Sequence, residues 1–287
     1  MNERLDPIQV VTDSFLRRFG LDAGKRLHEV TREIGLDIVY RPTASYEGAL
    51  LRIKGVPRGC VVINSEIREE SRQRFTLVHE IGHFVLPDQQ ELCAPCARDS
   101  IESWDDTLNS LELDANRFAA EVLMPRPILR GFLQSEPSFD SLRSVASLCG
   151  TSLTASGFQL MTLTSFRASL VWSRRGRILW YKSSEEFVRW VRKGELSDAT
   201  FASDCFKRKP VPDELRPVPA SAWLFEKGLK ADARVWEHSV PLPNYDAVLT
   251  LLVVRDAIES WNDDPDTLDE LDPREFTLDR KRWPSKR

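Results

Sequence analysis

The chain has 287 residues, of which 41% are hydrophobic and 29% charged, and its formal net charge at pH 7 is −4. This composition is ordinary for a globular protein of one large or two modest domains, and so mild a charge excludes a general attraction to nucleic acid or anionic lipid. Because no run of about 18 apolar residues occurs, we expect no membrane span. Five cysteines and an N-terminus that does not resemble a signal peptide predict a reducing, cytoplasmic location.

The first part of the chain predicts two helices and then a small three-stranded sheet. Residues 7–20 and 22–35 have helical periodicity, and each stretch ends in glycine, which commonly terminates a helix. Short β-branched or aliphatic runs separated by Pro, Gly and Ser then predict strands at residues 36–40, 49–53 and 60–64. A helix from about residue 69 to 86 follows directly, which indicates an α+β fold.

The helix predicted at residues 69–86 contains His79-Glu80-Ile81-Gly82-His83. Histidines four residues apart project from one face of a helix, where both imidazoles can reach a single metal ion at about 2.0–2.1 Å. Glu80 would lie beside that metal as a base for a bound water molecule. The alternative is a core helix that contains two histidines by chance. With only four histidines in the chain, we favour the metal site.

A catalytic zinc ion needs a third protein ligand and an open position for water. Glu112 is the best candidate, because it lies on a second predicted helix at residues 110–125. Ala115 and Ala119 on that helix permit close packing. Asn116, one turn after Glu112, would hold the far nitrogen of a ligand histidine. A solvated surface carboxylate is the alternative for Glu112, and manganese or iron at the same ligands stays open.

Cys93 and Cys96 form a Cys-x-x-Cys pair in the polar stretch between these two helices. A structural zinc site would need two further ligands, and the sequence contains no second such pair. We therefore favour two unpaired loop cysteines, while a redox-tuned loop near the active site stays open.

Residues 139–150 and 152–164 predict two short helices around a turn, as in a helix-turn-helix. From Ser144 to Phe166 the sequence has no charged residue. Phosphate contacts require cations, so we expect no direct binding of nucleic acid. We interpret the pair as an inter-domain or partner-docking module.

The rest of the chain predicts a second sheet and a loosely attached tail. A hairpin at residues 169–172 and 176–181 is followed by a helix at 184–191. A proline-rich, linker-like stretch at 210–219 leads to strands at residues 222–225, 235–239 and 247–254. The tail is acidic from Asp256 to Asp272 and basic at residues 280–282.

The two helical motifs together resemble a known family. Residues 74–83 and the segment from Glu112 to Pro125 are similar to the ImmA/IrrE family of metallo-endopeptidases, and the resemblance extends over about residues 1–165. It implies that His79, His83 and Glu112 bind zinc and that Glu80 is the catalytic base. It also implies that the substrate is an XRE-type transcriptional repressor, whose cleavage derepresses stress-response or mobile-element genes.

The resemblance to the longer, radiation-response branch of the family also implies a domain order. A small zincin-like metallopeptidase domain would occupy residues 1–135 and a helix-turn-helix-like module residues 136–166. A mixed α/β GAF-like domain would occupy residues 167–287. Two alternatives to an enzyme stay open: a non-catalytic zincin-like regulator that binds a repressor, or a toxin-antitoxin component.

Two features of a peptidase site stay open in the sequence. An oxyanion-stabilising donor is expected, and the side chains of eligible type are Tyr40, Tyr46, His28 and His238. A substrate backbone could pair with an edge strand near residues 49–64, although an ordinary sheet strand is an equally good interpretation of that segment.

Overall fold

The structure, a computed structural model, describes residues 6–52, 56–87, 95–96, 110–225 and 229–255. They form an α+β arrangement with two separate sheets. The helices are α1 (Pro7–Phe19), α2 (Leu27–Glu33), α3 (Glu70–Val85), α4 (Ser110–Leu123), α5 (Arg126–Leu129), α6 (Phe139–Cys149), α7 (Leu153–Leu163) and α8 (Phe201–Phe206). The strands are β1 (Leu36–Arg41), β2 (Gly48–Arg52), β3 (Gly59–Asn64), β4 (Pro95–Cys96), β5 (Ala168–Arg174), β6 (Arg177–Ser183), β7 (Gly194–Glu195), β8 (Arg216–Pro219), β9 (Arg234–Leu242) and β10 (Ala247–Val253).

The first sheet has the strand order β1-β3-β2-β4. β1 and β3 are parallel, and β2 is antiparallel to β3. In the described part of the chain, β4 pairs with Gly48 and Ala49, the first two residues of β2. The three strands predicted in this region are confirmed, and α3 follows β3 as expected. Cys93 lies outside the described residues, and Cys96 belongs to the two-residue strand β4.

The first of the two predicted N-terminal helices is confirmed, and the second is interrupted. The Asp6 carboxylate accepts a hydrogen bond from the Ile8 N–H at 3.0 Å and so caps α1. The helix predicted over residues 22–35 begins instead with a 3-10 turn, Ala23–Lys25, before α2. Gly24 in this turn lies close to α4, because a Cβ atom there would stand 3.1 Å from the Val122 carbonyl oxygen. Packing against α4 thus competes with a continuous helix.

The second sheet is antiparallel throughout, with the order β7-β6-β5-β10-β9-β8. The strands predicted within residues 169–181 and 235–254 are confirmed. The helix predicted at 184–191 is wrong, because the chain there runs as turns. The Ser184 hydroxyl donates to the Phe166 carbonyl at 2.7 Å, and Val191 forms a β-bridge with Leu224. These tertiary contacts replace the hydrogen bonds that a helix would make.

Two further predictions about the second sheet are wrong. Residues 222–225 were expected to form a strand, yet a 3-10 turn occupies Ala220–Ala222 and only Leu224 makes a bridge. The linker-like proline stretch contains the edge strand β8, in which Pro217 and Pro219 pair with β9. Proline cannot donate a backbone hydrogen bond, so an edge strand is where a sheet tolerates it.

Helix α7 is buried between α6 and the second sheet. A Cβ atom at Gly157 would stand 2.8 Å from a methyl carbon of Leu170 on β5 and 2.9 Å from one of Leu142 on α6. Ser156 and Met161 are fully buried. The helix-turn-helix-like and GAF-like assignments stay predictions.

One continuous hydrophobic core joins the two sheets. It includes Phe15 of α1, Val78 of α3, Phe139 of α6 and Leu251 of β10. The domain limits expected from the sequence, at residues 135 and 166, stay predictions, and the tail at 256–287 lies outside the described residues. Among the described residues, no helix is both long enough and apolar enough to cross a membrane.

Candidate metal centre

Helices α3 and α4 lie in direct contact, and small residues make this possible. A Cβ atom at Gly82 would stand 3.3 Å from the Ala115 Cα and 3.2 Å from a ring carbon of Phe118. Ala115 and Ala119 are fully buried. The sequence indicated the two alanines, but it did not single out Gly82. A glycine within the His-Glu-x-x-His motif was the available signal.

The structure brings the three predicted ligands together. The Nε2 atoms of His79 and His83 lie 3.0 Å apart. Glu112 Oε2 lies 3.2 Å from His79 Nε2, and Glu112 Oε1 lies 3.5 Å from His83 Nε2. All three ligand atoms fall within 4.8 Å of one another. His79 and His83 are buried, whereas the Glu112 side chain keeps 21% of its surface exposed. Glu112 is thus the least buried of the three.

Asn116 orients the first histidine. Its Oδ1 atom lies 2.9 Å from His79 Nδ1, and the Asn116 side chain is fully buried. An amide oxygen can only accept a hydrogen bond, so Nδ1 carries the proton in this arrangement. His79 Nε2 then presents its lone pair to the cluster. This is the contact expected of a residue that supports a ligand histidine.

The donor set fits a divalent metal ion. Two imidazole nitrogens and one carboxylate are the protein ligands of many catalytic zinc sites, in which the fourth position is left for water or substrate. His79 Nε2 lies next to His83 Nε2 and Glu112 Oε2, which are also atoms that can bind a metal. A cation at this point would bring all three donors into favourable contact.

Glu80 lies on the side of α3 that faces β2. It is fully buried. A Cβ atom at Gly48 would stand 2.5 Å from Glu80 Oε1 and 2.6 Å from Thr76 Cγ2, so only glycine allows the strand to pass this close. The first residue of β2 therefore lies directly against the Glu80 carboxylate. This contact was not predicted from the sequence.

A cavity of about 370 Å³ lies at the N-terminal end of α3, between the loop before β2 and the loop after β3. Arg72 on its wall donates to the Glu47 carboxylate at 2.8 Å, and both side chains are largely buried. Arg72 lies eight residues before Glu80 on α3, and the residues that line this cavity include neither Glu80 nor the three candidate ligands.

The four side chains considered as oxyanion donors lie in different places. Tyr46 lines the cavity, and Tyr40 lies on β1 with a pKa raised by burial. His28 is exposed on α2. His238 lies on β9, where its ring contacts the ring of Phe139 edge-on at 4.8 Å. It thus belongs to the core of the second sheet.

Comparison with known proteins agrees with this geometry. Residues 31–161 match the peptidase M78 family, described as the IrrE N-terminal-like domain. The chain is also similar to two curated proteins, each named radiation response metalloprotease IrrE. The protein from Deinococcus radiodurans is 32% identical over 112 residues, which cover 39% of this chain and 32% of the relative. The one from Deinococcus deserti is 28% identical over 144 residues, which cover 50% of this chain and 49% of the relative.

The chain thus spans between about a third and a half of the length of the curated relatives that it matches. The family match includes α3 and α4 and ends within α7. The second sheet lies beyond it.

Proposed function

We propose that this chain is a zinc-dependent endopeptidase of the ImmA/IrrE family, whose N-terminal-like domain matches residues 31–161. The observation that carries this proposal is the convergence of His79, His83 and Glu112 within 4.8 Å. The metalloprotease names of both relatives support it.

In the proposed reaction these three side chains hold the metal and Glu80 moves the protons. A bound zinc ion would supply a water molecule of lowered pKa and would polarise the peptide carbonyl. Glu80 accepts a proton from this water and delivers it to the leaving amide nitrogen. Gly48 leaves room for the Glu80 carboxylate in this position, because a Cβ atom there would stand 2.5 Å from Oε1.

We further propose that the substrate is an XRE-type transcriptional repressor and that its cleavage derepresses stress-response or mobile-element genes. This substrate class rests on the family resemblance of the two metal helices. Such a substrate would place the enzyme in the cytoplasm. The burial of α7 and the absence of charge from Ser144 to Phe166 support an effect on transcription through the repressor rather than through direct contact with DNA.

The decisive experiment compares Glu80→Gln with the wild type. The purified proteins are loaded with zinc and mixed with the XRE-type repressor encoded nearest to this gene, with and without a chelator. We expect the wild type to cut the repressor once metal is present. Glu80→Gln should keep the bound metal and the melting temperature yet leave the repressor intact. Glu70→Gln, an exposed residue of the same helix, is the matched control and should cleave normally.

Two outcomes would contradict the proposal. Cleavage by Glu80→Gln at the wild-type rate would show that Glu80 is not the base. A metal-loaded wild type that binds the repressor without cutting it would favour the non-catalytic regulator. Elemental analysis of the purified protein shows whether the bound metal is zinc, manganese or iron.

A further inference from the structure

Arg52, the last residue of β2, contacts the helix that carries the two candidate histidine ligands. Its guanidinium donates a hydrogen bond to the His83 carbonyl oxygen at 2.7 Å. The two residues are 31 positions apart in the chain, so this contact depends on the packing of β2 against α3. Arg52 is half-buried and His83 is buried. A side chain of the first sheet thus holds the backbone of one candidate ligand.

The way in which α3 ends explains why this carbonyl takes a side-chain donor. The carbonyl groups of the last turn of a helix have no partner within the helix. Pro87 occupies the position four residues after His83, and proline has no N–H to donate. Leu86, directly before the proline, is already extended with a ψ of 129°, and its N–H donates to the Gly82 carbonyl at 2.9 Å. The His83 carbonyl therefore receives no hydrogen bond from the residue four positions later, and Arg52 supplies a donor in its place.

The charge of Arg52 and the ring of Phe84 add to this hydrogen bond. A cation is favourable near the C-terminus of a helix, where the carbonyl groups give a negative partial charge. The Arg52 guanidinium carbon lies 4.5 Å from the centre of the Phe84 ring, within the range of a cation–π contact. The same ring packs on β3, because a Cβ atom at Gly59 would stand 3.4 Å from Phe84 Cε2. Arg52 thus contacts two successive residues at the end of α3.

Arg52 lies on the same face of β2 as Gly48, because side chains at alternate positions of a strand point to one face. Gly48 lies against the Glu80 carboxylate, and Arg52 bonds to the His83 carbonyl. One face of β2 therefore contacts both the candidate base and a candidate metal ligand.

We propose that Arg52 is a positioning residue for His83. By holding the last turn of α3 against β2, it keeps His83 Nε2 at 3.0 Å from His79 Nε2 and at 3.5 Å from Glu112 Oε1. Helix ends fray readily, and each departure of this turn from the helix would take His83 out of the cluster. The inference rests on the proposed function, in which these three side chains bind zinc.

Zinc affinity of the full chain, measured by competition with a chromophoric chelator, tests this proposal. Arg52→Met keeps an apolar stem but removes the donor and the charge, whereas Arg52→Lys retains a donor and a charge. The matched control is Arg192→Met, because Arg192 Nε donates to the Leu224 carbonyl at 3.1 Å and its guanidinium lies 6.0 Å from the centre of the Phe225 ring. It removes the same kind of contact from a part of the chain that contributes no candidate ligand. Thermal melting of the metal-free proteins shows whether each variant is folded.

We expect Arg52→Met to bind zinc about 10-fold more weakly than the wild type, the lower end of the loss typical of contacts that support a metal ligand. Arg52→Lys should recover part of this loss, and Arg192→Met should bind zinc as the wild type does. If Arg52→Met does not fold, Phe84→Leu takes its place. It removes the ring beside the guanidinium but retains the donor, so zinc affinity should fall by a smaller factor.

Three outcomes would overturn the role of Arg52 alone. The first is a zinc affinity of Arg52→Met, or of Phe84→Leu in its place, equal to that of the wild type. The second is an affinity of Arg52→Lys as low as that of Arg52→Met, since the donor would then not be the cause. The third is an equal loss in Arg192→Met, which would indicate a general loosening of the fold. A wild type that binds no zinc would contradict the proposed function itself, and this inference with it.

Discussion

Gly82 of α3 and Ala115 of α4 touch so closely that a Cβ atom on Gly82 would stand 3.3 Å from the Ala115 Cα and 3.4 Å from its carbonyl oxygen. Gly82 directly precedes His83, and Ala115 directly precedes Asn116. The contact therefore sets the distance between the helix that carries two of the candidate ligands and the helix that carries the third.

We expect Gly82→Ala to weaken metal binding more than it changes overall stability. Alanine favours a helix over glycine by about 1 kcal/mol, which offsets part of the roughly 1–3 kcal/mol cost of overpacking. No such offset applies to the ligand cluster, because α4 must move away by a few tenths of an ångström and take Glu112 with it. Competition with a chromophoric chelator measures zinc affinity, and thermal melting of the metal-free protein measures stability.

Gly131→Ala is the control for this variant, since a Cβ atom at Gly131 would meet no heavy atom within 4 Å and its φ of −64° suits alanine. It should leave zinc affinity unchanged. Equal zinc affinities for Gly82→Ala and the wild type would mean that the spacing of the two helices does not limit the site.

The hydrogen bond from His79 Nδ1 to Asn116 Oδ1 predicts a difference between two substitutions at Asn116. Asn116→Ala removes the acceptor and should weaken zinc binding about 10–100-fold, as losses of such supporting contacts typically do. Asn116→Asp retains an acceptor for the Nδ1 proton and should bind zinc nearly as well as the wild type. Chelator competition gives both affinities. If the two variants were equally weak, packing rather than the hydrogen bond would explain the role of Asn116.

The contact between Gly48 and Glu80 predicts a variant that retains metal but loses activity. The added methyl of Gly48→Ala would stand 2.5 Å from Glu80 Oε1, and the flexible carboxylate is the part that can move. A displaced base should lower turnover of the repressor by ~10²-fold or more, the lower end of what general acid–base catalysis contributes. Zinc content should stay at the wild-type level, because the three ligands lie on α3 and α4. Full turnover by this variant would show that the base tolerates the displacement.

Local sequence patterns were enough to predict that the three candidate metal ligands come together. The spacing of His79 and His83 and the helical periodicity around Glu112 depend only on residues near one another in the chain, and the structure brings these three side chains together. Gly48 and Gly82 were not singled out, because their importance depends on which distant element approaches them. The sequence around a glycine does not indicate which distant element packs against it.

The same distinction explains the errors in the second sheet. Phe187 and Val191 lie four residues apart, a helical spacing, yet each is buried by tertiary contacts and Val191 pairs with Leu224 instead. Pro217 and Pro219 suggested a linker because proline weakens a strand. They are accommodated because β8 lies at the edge of the sheet, and position in a sheet is a property of the whole fold.

His238 should make the stability of the protein depend on pH. Burial lowers the pKa of this imidazole below its usual 6.5, and the positive charge of Arg143 acts in the same direction. The carboxylates that oppose these effects are Asp140, Asp213 and Glu214. Between the lowered pKa and 6.5, the unfolded chain binds more protons at this residue than the folded protein does. The stabilisation from neutral His238 is therefore complete above pH 6.5 and is lost as the pH falls through the folded-state pKa.

His238→Gln tests this dependence, because glutamine does not titrate. Urea unfolding of the wild type and the variant at a series of pH values from about 8 to 5 gives the difference between their unfolding free energies. We expect the wild type to lose stability relative to His238→Gln as the pH falls below 6.5, where the unfolded chain gains the proton first. His28→Gln, at an exposed position on α2, is the control for the loss of a histidine as such and should not reproduce the effect. If the difference between the wild type and His238→Gln stayed constant across this range, the pKa of His238 would be the same in the folded and the unfolded chain, and burial would not disfavour the protonated imidazole.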